Sequence, residues 1–369
     1  MQLQTIRPGG FHKIEPHPLP PSPFTERGTG GEVIKVNHMK IVEKKDIHDL
    51  MRAIKSAGKI LIAPIKEERT SRYAIIDDPS KAAFDLQLTR MSLKEHFFPP
   101  SECILEYQRT DDGMQIKDPP LPNEERVVFG ARPCDAAALS VMDKVFTWDY
   151  NDSFYLARRE KTTIVTIGCE KLGPACHCLD VGLSPNARDG SDILLIPLEG
   201  EKYEVDIVTD KGKNLAELWG DKIRDVSDSE RKILTPKYET KKPPEDLDKK
   251  FESAAWAELT RKCLGCGVCA YLCPTCHCFD IVDEQDGITS GERRRNWDVC
   301  AFNMFTKHGG GHNPRPEQWQ RYRQRVMHKF DYYPERFDCV ACVGCGRCIL
   351  SCPVGMDIFD VLEKVISVE

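Results

Sequence analysis

A cysteine run occurs twice in this chain of 369 residues, and it constrains the fold more than any other feature. "CLGCGVCAYLCP" begins at Cys263 and "CVGCGRCILSCP" begins at Cys342, so both runs follow the spacing C-x2-C-x2-C-x3-C-P. Three closely spaced thiolates hold one face of a [4Fe-4S] cubane, and the fourth, before the proline, characteristically reaches the other cluster of a two-cluster protein. The doubled run therefore predicts two [4Fe-4S] clusters.

The predicted ligation is crossed between the two runs. One cluster is expected on Cys263, Cys266, Cys269 and Cys352. The other cluster is expected on Cys342, Cys345, Cys348 and Cys273. A pair of structural zinc sites is the alternative, because thiolates also bind tetrahedral zinc. The fourfold spacing that ends in Cys-Pro favours iron and sulfur over the two separated ligand pairs that zinc needs.

Charge and composition limit the classes of function. The formal net charge is -6, which disfavours a general affinity for nucleic acid, because the nucleic-acid backbone selects basic proteins. No apolar run approaches the roughly 20 residues that a membrane helix needs. The start "MQLQTIRPGGFHK" lacks the apolar core of a secretory signal. We therefore expect a cytoplasmic protein without membrane insertion, whose 17 cysteines are metal ligands or reactive thiols rather than disulfides.

Three segments are predicted along the chain. Residues 1–38 are dense in Pro and Gly and have no periodic apolar positions, which predicts a disordered tail or a start site upstream of the natural one at Met39. Residues 39–247 alternate between strand and helix patterns, which predicts an α/β domain with a mostly parallel or mixed sheet. After the polar linker "TPKYETKKPPEDLDKK", residues 248–369 are expected to form an α-helical ferredoxin-type domain with the two clusters.

Four cysteines of the α/β domain fall where predicted strands end. Cys134 lies between the strand "ERVVFGA" and a helix, and Cys169 ends the strand "KTTIVTIGC". Cys176 and Cys178 follow in the same loop. Because α/β domains bind ligands at the carboxyl edge of the sheet, these four thiols are a candidate third iron–sulfur site. Small buried side chains are the alternative for all four, and Cys103 is expected in the core.

Four further cysteines are candidate cluster neighbours: Cys276, Cys278, Cys300 and Cys339. The first three are placed near the first run by the turn "CPTCHC", and either ligation or shielding of the cluster is open for them. His177 and His277 each lie inside a Cys-His-Cys triplet. A hydrogen bond to cluster sulfur is favoured for both over metal ligation.

Cations are concentrated between residues 287 and 330, where nine Lys or Arg stand against three Asp or Glu. One interpretation is a solvated face. The other is that cations near the anionic clusters raise their reduction potentials. Arg293–Arg295 also allow nucleic-acid binding, although no domain motif supports it. The chain has no G-x-G-x-x-G after a strand, no P-loop and no G-x-S-x-G, so sites for nucleotide, phosphate and acyl chemistry are not indicated.

Several longer strings carry a resemblance to a known family. These strings are "CPTCHCFD", "RRRNWDVC", "GGGHNPRP", "RQRVMHKF", "GARPCD" and "CEKLGPACHC". Through them the chain resembles the iron–sulfur (4Fe-4S dicluster) subunit that cytosolic sulfhydrogenases, as their beta subunit, share with anaerobic sulfite reductases. Two departures are "CHCLDVGLSP", where we expect a string like "CFCTSMGTGP", and the extra thiol of Cys339.

The resemblance implies a dicluster subunit that works beside a flavin- and NAD(P)-binding subunit. It implies electron transfer to or from a separate catalytic subunit, which is a hydrogenase, a sulfite or sulfur reductase, or a heterodisulfide-reductase-like subunit. The expected function is thus electron relay without substrate turnover by this chain. The alternatives are a self-sufficient reductase with a substrate site near Cys134, and a metal-stabilised nucleic-acid-binding or scaffold protein.

Overall fold

The structure is a computed structural model that describes residues 39–226 and 246–368. The predicted tail at residues 1–38 and most of the predicted linker at residues 235–250 lie outside the described residues. The predicted α/β region is present in the amino-terminal part. The two cysteine runs lie in the carboxyl-terminal part, among short helices.

An eight-stranded sheet forms the centre of the amino-terminal part. In spatial order its strands are β10 (Arg224–Val226), β1 (Met39–Glu43), β9 (Lys202–Ile207), β8 (Ile193–Leu198), β7 (Thr162–Ile167), β6 (Arg126–Ala131), β2 (Ile60–Lys66) and β3 (Ser71–Ile75). The pairs β2/β6, β6/β7 and β7/β8 are parallel, and the outer pairs are antiparallel. The sheet is therefore mixed, and it includes the predicted β8/β9 hairpin through "EGEK".

Helices cover both faces of this sheet. They are α1 (Ile47–Ser56), α2 (Pro133–Phe146), α3 (Ser153–Lys161) and α4 (Asp210–Glu217). Because side chains alternate along a strand, Val127 of β6 lies in the same core as Leu50 of α1. Its neighbour Val128 lies in the opposite core with Leu139 of α2. The parallel strands consequently end at one edge, where α2 begins directly after β6.

A second sheet takes strands from both sides of the predicted domain boundary. Its order is β11 (Phe279–Gln285), β12 (Ser290–Trp297), β4 (Ser101–Thr110) and β5 (Gly113–Lys117). The pairs β11/β12, β12/β4 and β4/β5 are all antiparallel. The carboxyl-terminal part is therefore not wholly helical, which corrects the expectation from its sequence.

The hairpin β11/β12 escaped prediction because charge pairs rather than apolar side chains stabilise its exposed faces. Arg293 pairs with Asp283 across the two strands. Arg295 is 6% exposed and pairs with the buried Glu102 of β4. The sequence did contain one signal, the Asp-Gly step in "DEQDGITSGE", which is typical of hairpin turns.

Within residues 246–368, six α-helices surround the two cysteine runs. They are α5 (Ala255–Leu259), α6 (Val268–Tyr271), α7 (Gln318–Met327), α8 (Tyr333–Phe337), α9 (Arg347–Leu350) and α10 (Ile358–Ser367). Trp256, Val326 and Val365 belong to the core that joins α5, α7 and α10, and each has no exposed surface. Cysteines of both runs pack against this core, so it fixes the two runs relative to each other.

Candidate metal centre

The first cage combines three cysteines of the first run with one of the second. Cys263, Cys266 and Cys269 line one cavity together with Cys352 and Pro353. Cys348 also reaches the wall of this cavity, as does Arg325 of α7. The Gln318 amide donates a hydrogen bond of 3.4 Å to Cys263 Sγ, and the Met356 N–H donates one of 3.2 Å to Cys352 Sγ. The structure therefore brings together the four residues of the first predicted ligand set.

The second cage is the predicted set of three cysteines from the second run, Cys342, Cys345 and Cys348, with Cys273 from the first run. The pKa of Cys342 is raised to about 11 and that of Cys345 to about 12, with burial as the largest cause and the nearby charge of Cys273 as a further one. Burial also raises the pKa of Cys348, again with Cys273 as a further cause. Cys273 from the first run thus lies beside all three thiols of the second run.

The loop of the second cage packs directly on the amino-terminal loop 175–178, which we call the amino-terminal cysteine loop. The His177 N–H donates to the Gly344 carbonyl at 2.7 Å. A Cβ on Gly344 would lie 2.1 Å from the His177 carbonyl oxygen, and a Cβ on Gly346 would lie 2.1 Å from that of Ala175. Glycine is thus required here for close approach of two loops, and not only for the tight turn around a cluster.

The four amino-terminal cysteines converge at the edge of the large sheet. Cys134 is in the first turn of α2, Cys169 follows β7, and Cys176 and Cys178 lie in the amino-terminal cysteine loop. Burial is the largest cause that raises the pKa of Cys169, and Cys176 is a further cause. Burial likewise raises the pKa of Cys178 to about 12, with Cys176 and Cys169 adding to it. The structure thus places these thiols near one another, with Cys134 beside Cys169, and their binding of a cluster stays a prediction.

Among residues 39–226 and 246–368, no three His, Cys, Asp or Glu side chains are close enough together to hold a single metal ion. A cubane holds its ligand sulfurs further apart than a single ion does, so this finding concerns single-ion sites.

A buried ion pair joins the second cage to the amino-terminal cysteines. The Arg347 side chain is 1% exposed and that of Asp135 is 0% exposed, and they are 2.8 Å apart. Tyr73 donates to Asp135 at 2.9 Å. Although burial alone would lower it, the charges of Asp135 and Cys345 raise the pKa of Arg347 well above its usual value. Sequence reasoning missed this pair, whose only local signal is an Arg between the second and third cysteines of the run, in "CGRC".

Three buried cations face the cysteines. Lys94, Arg325 and Lys329 are each 3% exposed. Among the described residues, no ion pair joins any of the three to a carboxylate. Lys329 Nζ instead lies 3.4 Å from Cys273 Sγ and donates to the Ala341 carbonyl at 2.8 Å. Although burial lowers it, the thiolates of Cys273 and Cys276 raise the pKa of Lys329 above its usual value.

Arg325 and Lys94 are also buried beside the cages, but burial lowers the pKa of Lys94 to about 8, whereas the pKa of Arg325 is raised. Burial opposes the charge of Arg325, but Cys269 and Cys348, one from each run, raise its pKa above the usual value. The Lys94 ammonium donates to the carbonyls of Tyr271 at 3.2 Å and Cys276 at 3.1 Å. The cationic excess at residues 287–330 is therefore directed inward at Arg325 and Lys329. Lys94 was missed because it lies far from this stretch in sequence.

The remaining candidate residues have individual partners. Burial raises the pKa of Cys339, which hydrogen-bonds Lys144, and Cys103 is half-buried on β4. His177 Nδ1 lies 2.7 Å from Asp180, and its ring stacks on Phe359.

His277 Nδ1 lies 3.1 Å from the Thr275 carbonyl oxygen. The pKa of His277 is lowered to about 3, with burial as the largest cause and His328 as a further one. The Nδ1 atoms of the two Cys-His-Cys histidines thus face a carboxylate and a carbonyl oxygen. The hydrogen bond to cluster sulfur expected for these histidines stays a prediction.

Comparison with known proteins supports the metal centre. Residues 262–356 match the family described as 4Fe-4S dicluster domain. The chain is thus an iron–sulfur protein with an electron-transfer domain near its carboxyl end. It is 28% identical over 334 residues to Sulfhydrogenase 2 subunit beta of Pyrococcus furiosus. The alignment covers 86% of this chain and 95% of the relative. This similarity confirms the resemblance to sulfhydrogenase beta subunits.

No solved structure matches the chain. Among the described residues, no helix has the length and apolar character needed to cross a bilayer.

Proposed function

We propose that this chain is a cytosolic electron-relay subunit that holds two [4Fe-4S] clusters and carries electrons between two partner subunits. One partner binds flavin and NAD(P). The other is a catalytic subunit, for which hydrogenase, sulfite or sulfur reductase and heterodisulfide-reductase-like chemistry are the candidates. The relative is named a sulfhydrogenase beta subunit, and this name supports assembly of the chain into a complex. Among the three candidate catalytic partners, it favours a hydrogenase subunit.

The observation that carries the proposal is the set of buried cations that have no carboxylate partner among the described residues. Burying a charge costs several kcal/mol unless an opposite charge is nearby. Arg325 and Lys329 are buried against the cysteines of the two runs, where a cluster held by four thiolates is anionic. A [4Fe-4S] cluster in each cage would therefore supply the negative charge that these side chains lack. The donor set, thiolates alone, fits iron–sulfur clusters as well.

The crossed ligation explains why the two cages are close together. Cys352 lines the cavity of Cys263, Cys266 and Cys269, while Cys273 interacts with Cys342 in the other cage. Each cluster would then be held by both runs, and Cys348 and Arg325 would lie between the clusters. A bound cluster would supply one-electron transfer. The residues of this chain fix its position and tune its potential through charge and hydrogen bonds.

A third [4Fe-4S] cluster is proposed at Cys134, Cys169, Cys176 and Cys178. Its support is the convergence of the four thiols and their contact with the second cage through Gly344 and Arg347. The three clusters would then form an electron-transfer chain in the order first cage, second cage, amino-terminal site. Replacing Cys176 and Cys178 by Ser is expected to remove about four irons per chain and to leave the other clusters intact. Unchanged iron in this double variant would assign these thiols to packing.

The structure does not favour the alternative of a nucleic-acid-binding protein, because the arginines that would form its basic surface have acidic partners. Arg293 and Arg294 pair with acidic residues of the same hairpin, and Arg295 is buried beside Glu102. These arginines are therefore neutralised within the fold, and a phosphate backbone would have to displace the existing ion pairs.

The proposal is tested by iron, sulfide and electron stoichiometry of the anaerobically purified chain. We expect about eight irons and eight sulfides, or about twelve of each with the third cluster. Dithionite titration should bleach the visible absorbance with about one electron per cluster. Cys103→Ser, on strand β4 and outside both cages, is the control that should leave all values unchanged. A colourless zinc protein would refute the proposal, and substrate turnover by the isolated chain with an artificial donor would favour a self-sufficient reductase.

A further inference from the structure

Three thiols outside both cages form a separate group beside the second one. Cys276 is hydrogen-bonded to the proposed ligand Cys273. Cys300 interacts electrostatically with Cys276 and is hydrogen-bonded to Cys278. The group thus forms a continuous line of sulfur atoms that starts at a cluster ligand and ends at the pair Cys278 and Cys300.

The hairpin β11/β12 holds the terminal pair in place. Phe279 pairs with Trp297 in the first register position of the hairpin, and the Asp298 N–H donates to the Cys278 carbonyl at 3.0 Å. Cys278 and Cys300 therefore lie at the open end of the hairpin, one just before β11 and the other just after β12. Cys300 is buried.

We propose that Cys278 and Cys300 form a reversible dithiol–disulfide couple that stores two electrons beside the clusters. In the oxidising direction each thiol loses its proton to water and the S–S bond forms. A cluster bound in each cage would accept one electron, so the two electrons would leave the dithiol one at a time. In the reducing direction two electrons and two protons cleave the disulfide to two thiols. The electron count matches because two clusters that exchange one electron each would together exchange the two electrons that one disulfide requires.

The environment of the pair differs from that of inert buried thiols. Burial in apolar surroundings raises the pKa of a thiol, whereas the hydrogen bond from Cys300 lowers the pKa of Cys278 to about 7. The buried cations Lys329 and Lys94 are further causes of this lowering. The thiolate is the reactive form in disulfide chemistry, and here the side chains of Cys278 and Cys300 are direct neighbours.

The proposal rests on the proposed electron-relay function, because the clusters exchange the electrons. The test uses the full chain with its clusters, equilibrated anaerobically with redox mediators at a series of potentials. Samples are quenched in acid, denatured and alkylated, and the peptides with Cys278 and Cys300 are quantified by mass spectrometry. We expect alkylation of both residues to rise together as the potential falls, with a tenfold change in ratio for about 30 mV. A peptide pair linked between Cys278 and Cys300 should be present at the oxidising end.

Variants separate the disulfide from the other roles of these thiols. Cys278→Ser and Cys300→Ser should each abolish the linked peptide pair and retain the iron content, while Cys103→Ser should retain both. Alkylation of Cys278 and Cys300 that stays constant at all potentials would overturn the proposal. Loss of about four irons in either serine variant would also overturn it, because the residue would then be a cluster ligand. Failure of the electron-relay function would be seen separately, as absent iron in the unsubstituted chain.

Discussion

Replacing Lys329 by Met should lower the reduction potential of the cluster in the second cage. Lys329 Nζ lies 3.4 Å from Cys273 Sγ and is buried among the cysteines. Its positive charge stabilises the reduced cluster, which is the more negative form. Methionine keeps most of the length of the lysine side chain and removes its charge. The reduced cluster then loses an attraction that is weaker for the oxidised cluster.

The size of the shift follows from Coulomb's law. Two unit charges 4 Å apart interact by about 1 kcal/mol in water and about 4 kcal/mol at an effective dielectric constant near 20. The added electron is spread over the cluster beyond Cys273, so the lower part of this range applies. An effect of about 1–2 kcal/mol corresponds to a fall of about 40–90 mV for a one-electron couple.

The assay is a redox titration of the loaded chain, followed by electron paramagnetic resonance of the reduced clusters. The second-cage signal should require a lower potential in Lys329→Met, and the first-cage signal should shift less. Lys307→Met removes an exposed lysine from the same cationic stretch and should change neither potential by more than about 10 mV. An unchanged or raised second-cage potential in Lys329→Met would refute the electrostatic role of the buried lysine.

Two further substitutions test the contact between the second cage and the amino-terminal part. Gly344→Ala should lower the free energy of unfolding by about 2–4 kcal/mol, because its Cβ would overlap His177. Gly355→Ala, which has a similar positive φ but open space around it, should cost about 1 kcal/mol in the same denaturant titration; equal costs would contradict the contact. Arg347→Met should cost about 3–5 kcal/mol by leaving Asp135 buried and unpaired. Adding Asp135→Asn to Arg347→Met should recover part of that loss. If the double variant instead lost the sum of the stability losses of the two single variants, the two residues would not be coupled.

Local sequence patterns were sufficient for the parts of the site that are built from neighbouring residues. The spacing of each run and the proline after its last cysteine predict the crossed ligation. The structure places Cys352 in the cavity of Cys263, Cys266 and Cys269 and places Cys273 near Cys342, and the ligation itself stays a prediction. Strand and helix periodicity likewise predicted the sheet edge at which Cys134 and Cys169 meet. These features depend on the geometry of single strands, helices and loops, and the residue pattern of one sequence is enough to predict that geometry.

The features that escaped prediction depend on pairs of residues far apart in the chain. Arg347 contacts Thr89 across 258 positions, and Lys94 reaches the Cys276 carbonyl across 182. A charged side chain has the same local pattern whether it is solvated or buried beside a distant partner. The hairpin β11/β12 was missed for a related reason, since its stabilising partners are carboxylates rather than a periodic apolar face. Long-range charge pairing therefore became visible only in the structure.

The crossed ligation is tested most directly by Cys352→Ala in the loaded chain, with iron analysis and electron paramagnetic resonance. Cys339→Ala is the matched control, because Cys339 precedes the same run but hydrogen-bonds Lys144. We expect Cys352→Ala to lose or alter the cluster of Cys263, Cys266 and Cys269 and to retain the cluster of the second cage, while Cys339→Ala retains both. Loss of the Cys342 cluster with retention of the Cys263 cluster would contradict the crossed arrangement and would show that each run holds its own cluster.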